Sequence, residues 1–168
     1  MAGSRTGYSG LQIALHWLIA VLIVIAYFTG DDMDDALRAR IQSGATGIEG
    51  NTLHVWIGGT IFTLVLIRIV VRLASGAPGP VAGTPPALAA AALWGHRLLY
   101  VLMVAAPALG ATTWYLGIRD LGEVHELAAN ALMLVALGHA VAALWHQYVL
   151  KDGTLTRMTR KALPGTDG

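Results

Sequence analysis

Cysteine is absent from this chain of 168 residues, and charged side chains are scarce. Without thiols the chain has neither disulfides nor thiolate ligands for iron or zinc, so any metal site in it uses nitrogen or oxygen. Asp, Glu, Lys and Arg make up 12% of the residues, about half of the roughly 25% typical of soluble domains. Glycine-rich phosphate loops and nucleotide fingerprints are also missing, and nothing in the sequence indicates a nucleic-acid partner.

Four long apolar segments account for the low charge, and they are Leu11–Gly30, Leu53–Leu73, Leu93–Leu116 and His125–Leu150. Each is close to or above the roughly 20 residues that a spanning helix needs. The first is longer than a signal-peptide core and lacks its cleavage site, so we expect a retained helix. The sequence therefore predicts an all-α fold, a transmembrane antiparallel four-helix bundle. It forms one membrane domain over residues 1–168, with helices at about 11–30, 50–73, 93–116 and 122–150.

The charge distribution predicts an orientation, because lysine and arginine concentrate in cytoplasmic loops. Basic residues flank the segment ends that share one side, and they are Arg5, Arg68, Arg72, Arg97, Lys151, Arg157, Arg160 and Lys161. The opposite loops are acidic, and contain Asp31, Asp32, Asp34, Asp35, Glu49, Asp120 and Glu123 against Arg38, Arg40 and Arg119. We expect both termini in the cytoplasm and the acidic run in a solvated loop. The connector Ala74–Pro86 is expected to be a flexible link, and the tail 151–168 to lie on the cytoplasmic membrane surface.

Histidines occur at two depths of the predicted spans, where ionisable side chains are costly and usually functional. His125 and His139 are 14 residues apart, which places their rings on nearly one helix face but roughly 21 Å from each other. They cannot share an ion. His139 and His16 are expected at the same depth near the cytoplasmic end, and His125 and His54 at the same depth near the outer end, so we predict these two pairs. His96 is left as an alternative to His16.

Two imidazoles facing each other across a bundle are what a b-type haem needs. Zinc or copper usually requires further ligands at each level, and only Glu126 offers one. The sequence therefore predicts haem iron between the histidines of each pair. Gly58, one turn after His54, and Gly138, before His139, either make room for the porphyrin or serve ordinary helix packing.

Three further side chains have open assignments at the cytoplasmic end. Arg68 and Arg72 either pair with haem propionates or extend to lipid headgroups. His146 follows His139 by 7 residues, so it lies on the same face and about 10 Å nearer the cytoplasm. It either lines a quinone pocket or has no special role.

The segments Leu11–Leu18 (LQIALHWL), Leu53–Gly59 (LHVWIGG), His125–Asn130 (HELAAN) and Gly138–Asp152 (GHAVAALWHQYVLKD) resemble the bacterial cytochrome b561 family. The resemblance covers about Tyr8–Met158. It implies an inner-membrane protein with two b haems, in which His16 and His139 ligate the cytoplasmic-side iron and His54 and His125 the periplasmic-side iron.

Stand-alone members of this size are similar to superoxide oxidases, so the resemblance implies electron transfer from periplasmic superoxide to ubiquinone, giving oxygen and quinol. It also implies a quinone site at His146. Relatives can carry lysines in the second connector, and because Ala74–Pro86 has none, Arg72 or Arg97 would have to contribute there.

Two other functions stay open. One is a cytochrome b subunit that links a partner dehydrogenase or a periplasmic redox protein to quinone. The other is a haem-free transporter or assembly factor whose histidines handle metal. The acidic outer loops would repel superoxide unless Arg38, Arg40 and Arg119 cluster over the haem.

Overall fold

The computed structural model describes residues 7–81 and 83–160. This part of the chain is all-helical, with α1 over Gly10–Phe28, α2 over Met33–Ser43, α3 over Leu53–Ser75, α4 over Pro86–Leu116 and α5 over Asp120–Tyr148. A 3-10 turn, Leu155–Met158, follows. The predictions made for Arg5, Lys161 and the end of the tail lie outside the described residues.

Four of the five helices, α1, α3, α4 and α5, are long and apolar enough to cross a membrane. The mean hydropathy of their most apolar windows lies between 1.6 and 2.3. Large apolar side chains such as Phe28, Leu73 and Leu134 are more than 70% exposed, whereas the buried core consists of a few residues around Ile19, Ile61 and Val65. Apolar surface of this extent needs a lipid environment.

Local signals explain where the helices begin. Ser9 and Gln12 form a capping box at the start of α1, in which each side chain bonds the other's backbone N–H. Thr52 caps α3 by accepting from the backbone N–H of Val55. Pro85 precedes α4 and Pro86 opens it, at the position where a missing N–H does no harm.

Hydrogen bonds fix how α1 lies against α3. The Gln12 amide nitrogen donates to the carbonyl oxygen of Gly76 at 2.9 Å, and the Arg68 guanidinium donates to the carbonyl of Gln12 at 2.8 Å. The start of α1 therefore meets the end of α3, and the two helices are antiparallel. Further packing joins α3 to α4 and α4 to α5, and Tyr27 on α1 donates to Asn130 on α5 at 2.9 Å.

The acidic segment between α1 and α3 departs from the expected loop, because it contains α2. Asp34 and Asp35 lie in its first turn and Arg40 in its last, an arrangement that suits the helix dipole. Gly44 ends the helix with φ 69°, a left-handed conformation that glycine adopts at little cost. The aspartates remain exposed while Leu37 and Arg40 are buried.

The second connector is shorter than expected. The sequence placed the third helix from about residue 93, yet α4 begins at Pro86, because the alanine-rich stretch before Leu93 consists of strong helix formers. Alanine is only weakly hydrophobic, so it does not mark a membrane span, but it has the highest helix propensity. Residues 76–81 and 83–85 remain outside helices, as expected for the proline- and glycine-rich part.

Candidate functional site

Two histidines from α1 and α5 meet where α1 starts and α5 ends, and we call His16 and His139 the first pair. Their ring centroids are 6.3 Å apart, with the ring planes at 70°. Both rings are only partly exposed. A guanidinium nitrogen of Arg68 lies 3.5 Å from Nδ1 of His16, which brings a fixed positive charge beside this pair.

The second pair, His54 and His125, lies at the α2 end of the helices. Its ring centroids are 6.0 Å apart, with the planes at 83°. Nδ1 of His54 lies 3.0 Å from the carbonyl oxygen of Ala26, and Nδ1 of His125 lies 2.8 Å from that of Ala106. A carbonyl only accepts, so each Nδ1 carries the proton and each Nε2 keeps a free lone pair.

Glycines give the rings of the second pair their space. A Cβ built on Gly110 would lie 3.0 Å from Cε1 and 3.1 Å from Nδ1 of His125, so α4 and the ring approach closely only because a side chain is missing. A Cβ on Gly30 would lie 3.5 Å from Cε1 of His54. Sequence reasoning missed both glycines and chose Gly58 and Gly138, at which a Cβ would meet nothing within 4 Å.

His96 joins the first pair. Its ring centroid lies 5.1 Å from that of His139, and its Nδ1 lies 2.6 Å from the carbonyl oxygen of Ala92. Three imidazoles therefore meet at this level, whereas two meet at the other. In the described part of the chain, no three residues drawn from His, Asp and Glu are arranged to hold a metal ion among themselves.

Two arginines at the α2 end, Arg38 and Arg40, have contacts of their own. Arg40 is buried and donates to the backbone carbonyls of Gly47 and Glu49. Its guanidinium carbon lies 5.1 Å from the Trp114 ring. Arg38 instead pairs with Asp35 at 3.6 Å on the exposed side of α2. The guanidinium of Arg40 is therefore occupied by contacts within the α2 segment, so Arg40 offers little free positive charge to an approaching anion.

The proposed quinone residues have separate contacts. The Arg72 guanidinium carbon lies 5.8 Å from the Tyr100 ring, and that of Arg97 lies 4.7 Å from the Trp94 ring. His146 forms a 2.5 Å contact between its Nδ1 and Oδ2 of Asp152, just beyond α5. Asp152 was not among the predicted site residues, since its only sequence signal is its position six residues after His146.

Comparison with known proteins shows the family to which the chain belongs. The sequence model described as prokaryotic cytochrome b561 matches residues 7–161. The chain belongs to this family. A cytochrome b562 of Cereibacter sphaeroides is 47% identical over 154 residues, covering 92% of this chain and 96% of that protein. A probable superoxide oxidase CybB of Yersinia pestis is 33% identical over 175 residues, with 92% and 96% covered. Cytochrome b561 homolog 1 of Escherichia coli is 28% identical over 173 residues, with 90% and 96% covered.

Family membership confirms the resemblance found in the sequence and makes the chain a bacterial membrane cytochrome b that transfers electrons. It also implies haem b as the cofactor. The histidine pairs fit that group, because two imidazoles on opposite sides of one metal ion, each about 2 Å from it, have ring centroids roughly 6 Å apart. The separations of 6.3 Å and 6.0 Å match this value.

Proposed function

We propose that this chain is a di-haem b oxidoreductase of the bacterial inner membrane that passes electrons from periplasmic superoxide to ubiquinone, giving oxygen and quinol. One observation carries the proposal: α5 contributes one histidine to each of two pairs at separate levels, with His16 of α1 at one and His54 of α3 at the other, and the ring centroids in each pair are about as far apart as one iron requires. A relative called a probable superoxide oxidase, 33% identical, supports the choice of reaction.

The proposed architecture is an antiparallel bundle of α1, α3, α4 and α5 with both termini in the cytoplasm. The basic residues near the chain ends and the acidic residues around α2 support this orientation. His16 and His139 would then hold the cytoplasmic-side haem, and His54 and His125 the periplasmic-side haem. His96 remains an alternative ligand opposite His139, although its 5.1 Å ring separation is shorter than the spacing that one iron requires.

Haem b, when bound, would supply one-electron redox chemistry, and the two histidines of each pair would hold its iron. The chain's own residues orient the ligands. The carbonyl oxygens of Ala26 and Ala106 hold the rings of His54 and His125 with Nε2 free for iron. Arg68 places a positive charge next to His16, where it would stabilise the reduced state or pair with a propionate. Arg72 is the second candidate for a propionate. Gly58, at which a Cβ would meet nothing within 4 Å, remains a candidate position for porphyrin room.

The quinone site would lie at the cytoplasmic end, with His146, Arg72 and Arg97 as its polar residues. His146 is on the face of α5 that also carries His139, about 10 Å further along the helix. Arg72 and His146 lie in the last turns of α3 and α5, whereas Arg97 lies about three turns inside α4. The positive charge of this end favours an acceptor that takes up protons from the cytoplasm.

The outer surface favours a second candidate donor. Asp31, Asp32, Asp34 and Asp35 are exposed near the start of α2, and such a surface repels an anion such as superoxide while it attracts a basic protein. The alternative is therefore a cytochrome b that accepts electrons from a basic periplasmic redox protein or a partner dehydrogenase.

Rapid mixing separates the two donors. The purified oxidised protein is mixed with superoxide in a stopped-flow instrument, and the visible spectrum of b-type haem is followed. Superoxide oxidation predicts reduction of the haem within the dead time or soon after it, and oxygen release in a one-to-one ratio with electrons accepted. Haems that stay oxidised with superoxide but are reduced by a co-purifying donor would favour the second function.

A further inference from the structure

The carboxylate of Asp152 lies against the imidazole of His146 and is held from two sides. Its Oδ2 is 2.5 Å from Nδ1 of His146. Its Oδ1 accepts from the backbone nitrogen of Thr154 at 2.9 Å and from the Thr154 hydroxyl at 2.6 Å. Both side chains of the dyad are mostly buried, with 23% of His146 and 19% of Asp152 exposed. The carboxylate therefore has one orientation.

An unusual turn brings Asp152 to this place. Lys151 has φ 54°, a left-handed conformation that non-glycine residues seldom adopt. The chain reverses there, and the backbone nitrogen of Asp152 bonds back to the carbonyl oxygen of His146 at 3.2 Å. Strained backbone of this kind persists where surrounding contacts require it, and it is often found at functional sites.

The Asp152 carboxyl group is ionised at physiological pH. Burial alone would raise the pKa of this carboxyl group, but hydrogen bonds from His146 and Thr154 outweigh it and hold the pKa at about 2. A permanent anion beside Nδ1 keeps the proton on that nitrogen. The other ring nitrogen, Nε2, is then the one that accepts and releases protons.

We propose that Asp152 is a positioning residue for quinone protonation, which orients His146 so that its Nε2 delivers protons to the bound quinone. This inference rests on the proposed function, in which His146 lines the quinone site. Two superoxide ions, each oxidised to oxygen, supply the two electrons. His146 Nε2 gives the first proton to a quinone oxygen, is reprotonated from cytoplasmic water, and gives the second, so that quinone becomes quinol.

Asparagine is the discriminating replacement at position 152. Its amide oxygen still accepts from Thr154, so Asp152→Asn keeps the turn in which a side-chain oxygen accepts two residues further on. That oxygen is then occupied, and the amide nitrogen cannot accept from Nδ1–H of His146. A residue that served only the turn would tolerate this change.

The test follows reoxidation of the holoprotein by quinone alone. Wild-type protein and the Asp152→Asn variant are reduced with a stoichiometric amount of dithionite and mixed with decylubiquinone in H2O and in D2O. We expect Asp152→Asn to retain its haem, to lower the limiting reoxidation rate at saturating quinone about tenfold or more, to leave the half-saturating quinone concentration unchanged, and to increase the solvent isotope effect. Thr159→Ala is the control, because the Thr159 hydroxyl contacts only the backbone carbonyls of Leu155 and Thr156 among its described partners, and this variant should keep the rate within about twofold.

The outcomes separate this inference from the proposed function. Wild-type protein that decylubiquinone does not oxidise would contradict the quinone reaction itself, and the inference with it. Wild-type protein that reacts, with an Asp152→Asn variant of equal limiting rate and isotope effect, would overturn the role of Asp152 alone. If Asp152→Asn loses haem, Asp152→Glu is tested instead. An Asp152→Glu variant that keeps part of the limiting rate and shows an increased isotope effect would support the role. An unchanged isotope effect in this variant would overturn it.

Discussion

Single backbone carbonyls determine which nitrogen each histidine of the second pair offers. The oxygens of Ala26 and Ala106 occupy Nδ1 of His54 and His125, so Nε2 is free in both rings. The sequence predicted these histidines from their depth and spacing, but their carbonyl partners lie 28 and 19 residues away along the chain. Residue types alone do not reveal such partners, because every residue has a carbonyl.

Gly110 provides a test of close approach at the second pair. A Cβ there would lie 3.0 Å from the His125 ring, so Gly110→Ala must displace either the ring or α4. We expect the variant to lose or weaken the haem proposed for His54 and His125, at a cost of about 1 to 3 kcal/mol for overpacking. The haem-to-protein ratio and the redox titration of each haem measure this.

The control for Gly110 lies in the same helix. Gly95 is also inside α4, and a Cβ there would meet no atom within 4 Å. Gly95→Ala should leave haem content unchanged and raise stability slightly, because alanine favours helices more than glycine. Equal haem loss in both variants would show that α4 tolerates no added side chain and would remove the specific role of Gly110.

At the scale of elements, α2 is the helix that a search for long apolar segments does not find. The sequence predicted four spans, and the structure has four long apolar helices, because runs of about 20 apolar residues are a strong signal. α2 is short and polar, and its acidic residues suggested a solvated loop. Its anchoring depends on contacts of Arg40 with the nearby backbone at Gly47 and with the distant Trp114 ring, and the local sequence does not reveal the second of these.

Arg40 should be the main anchor of the α2 segment. Arg40→Ala leaves the carbonyls of Gly47 and Glu49 without their donor and removes the stacking on Trp114, for an expected loss of about 2 to 4 kcal/mol in unfolding free energy. Thermal unfolding in detergent and protease cleavage within residues 31–52 measure it. Arg38→Ala is the control, since its exposed ion pair with Asp35 contributes little. Similar effects of the two variants would contradict the anchoring role.

The segment after α5 should respond to acid in a defined range. Because the pKa of Asp152 falls from its ordinary value near 4 to about 2 in the folded protein, its contribution to stability is complete above the ordinary value. It is lost as the pH falls through the folded pKa. We expect the Asp152 contribution to the anchoring of Leu155–Met158 to be constant from pH 5 to 8 and to decline between about pH 4 and pH 2. Hydrogen exchange of this segment, compared between wild type and Asp152→Asn, tests this; a difference that disappears near pH 6 would contradict it.

At the scale of the whole molecule, charge asymmetry predicts how each donor would respond to salt. Raising the ionic strength from about 0.01 M to about 0.15 M shortens the Debye length from roughly 30 Å to roughly 8 Å. Screening of the exposed aspartates should then speed haem reduction by superoxide about two- to fivefold, and it would slow reduction by a basic protein. The variant with Asp31, Asp32, Asp34 and Asp35 all changed to Asn should react with superoxide at low salt as fast as wild type does at high salt. A superoxide rate that falls with salt would contradict this account of the outer surface.

The pairing of the histidines was predictable from the sequence, because their depth in the spans and the helical periodicity determine it. His139 and His125 share a face because 14 residues make nearly four turns, and the structure brings each of them to the partner expected from depth. The contact between His96 and His139 was left open, because it depends on how α4 is rotated about its axis. Apolar residues occur on all sides of α4, so the sequence does not determine that rotation. Asp152 was missed because the turn at Lys151 that returns it to His146 has no sequence signature.

The haem-to-protein ratio in wild type and in two single variants tests the central claim most directly. Extraction of haem from purified protein should give two b haems per chain, and His139→Ala and His125→Ala should each retain one. The remaining haem should be the second-pair haem in His139→Ala and the first-pair haem in His125→Ala, distinguished by their reduction potentials. A wild-type ratio of one or none, or variants that still hold two low-spin haems, would contradict ligation by these histidine pairs.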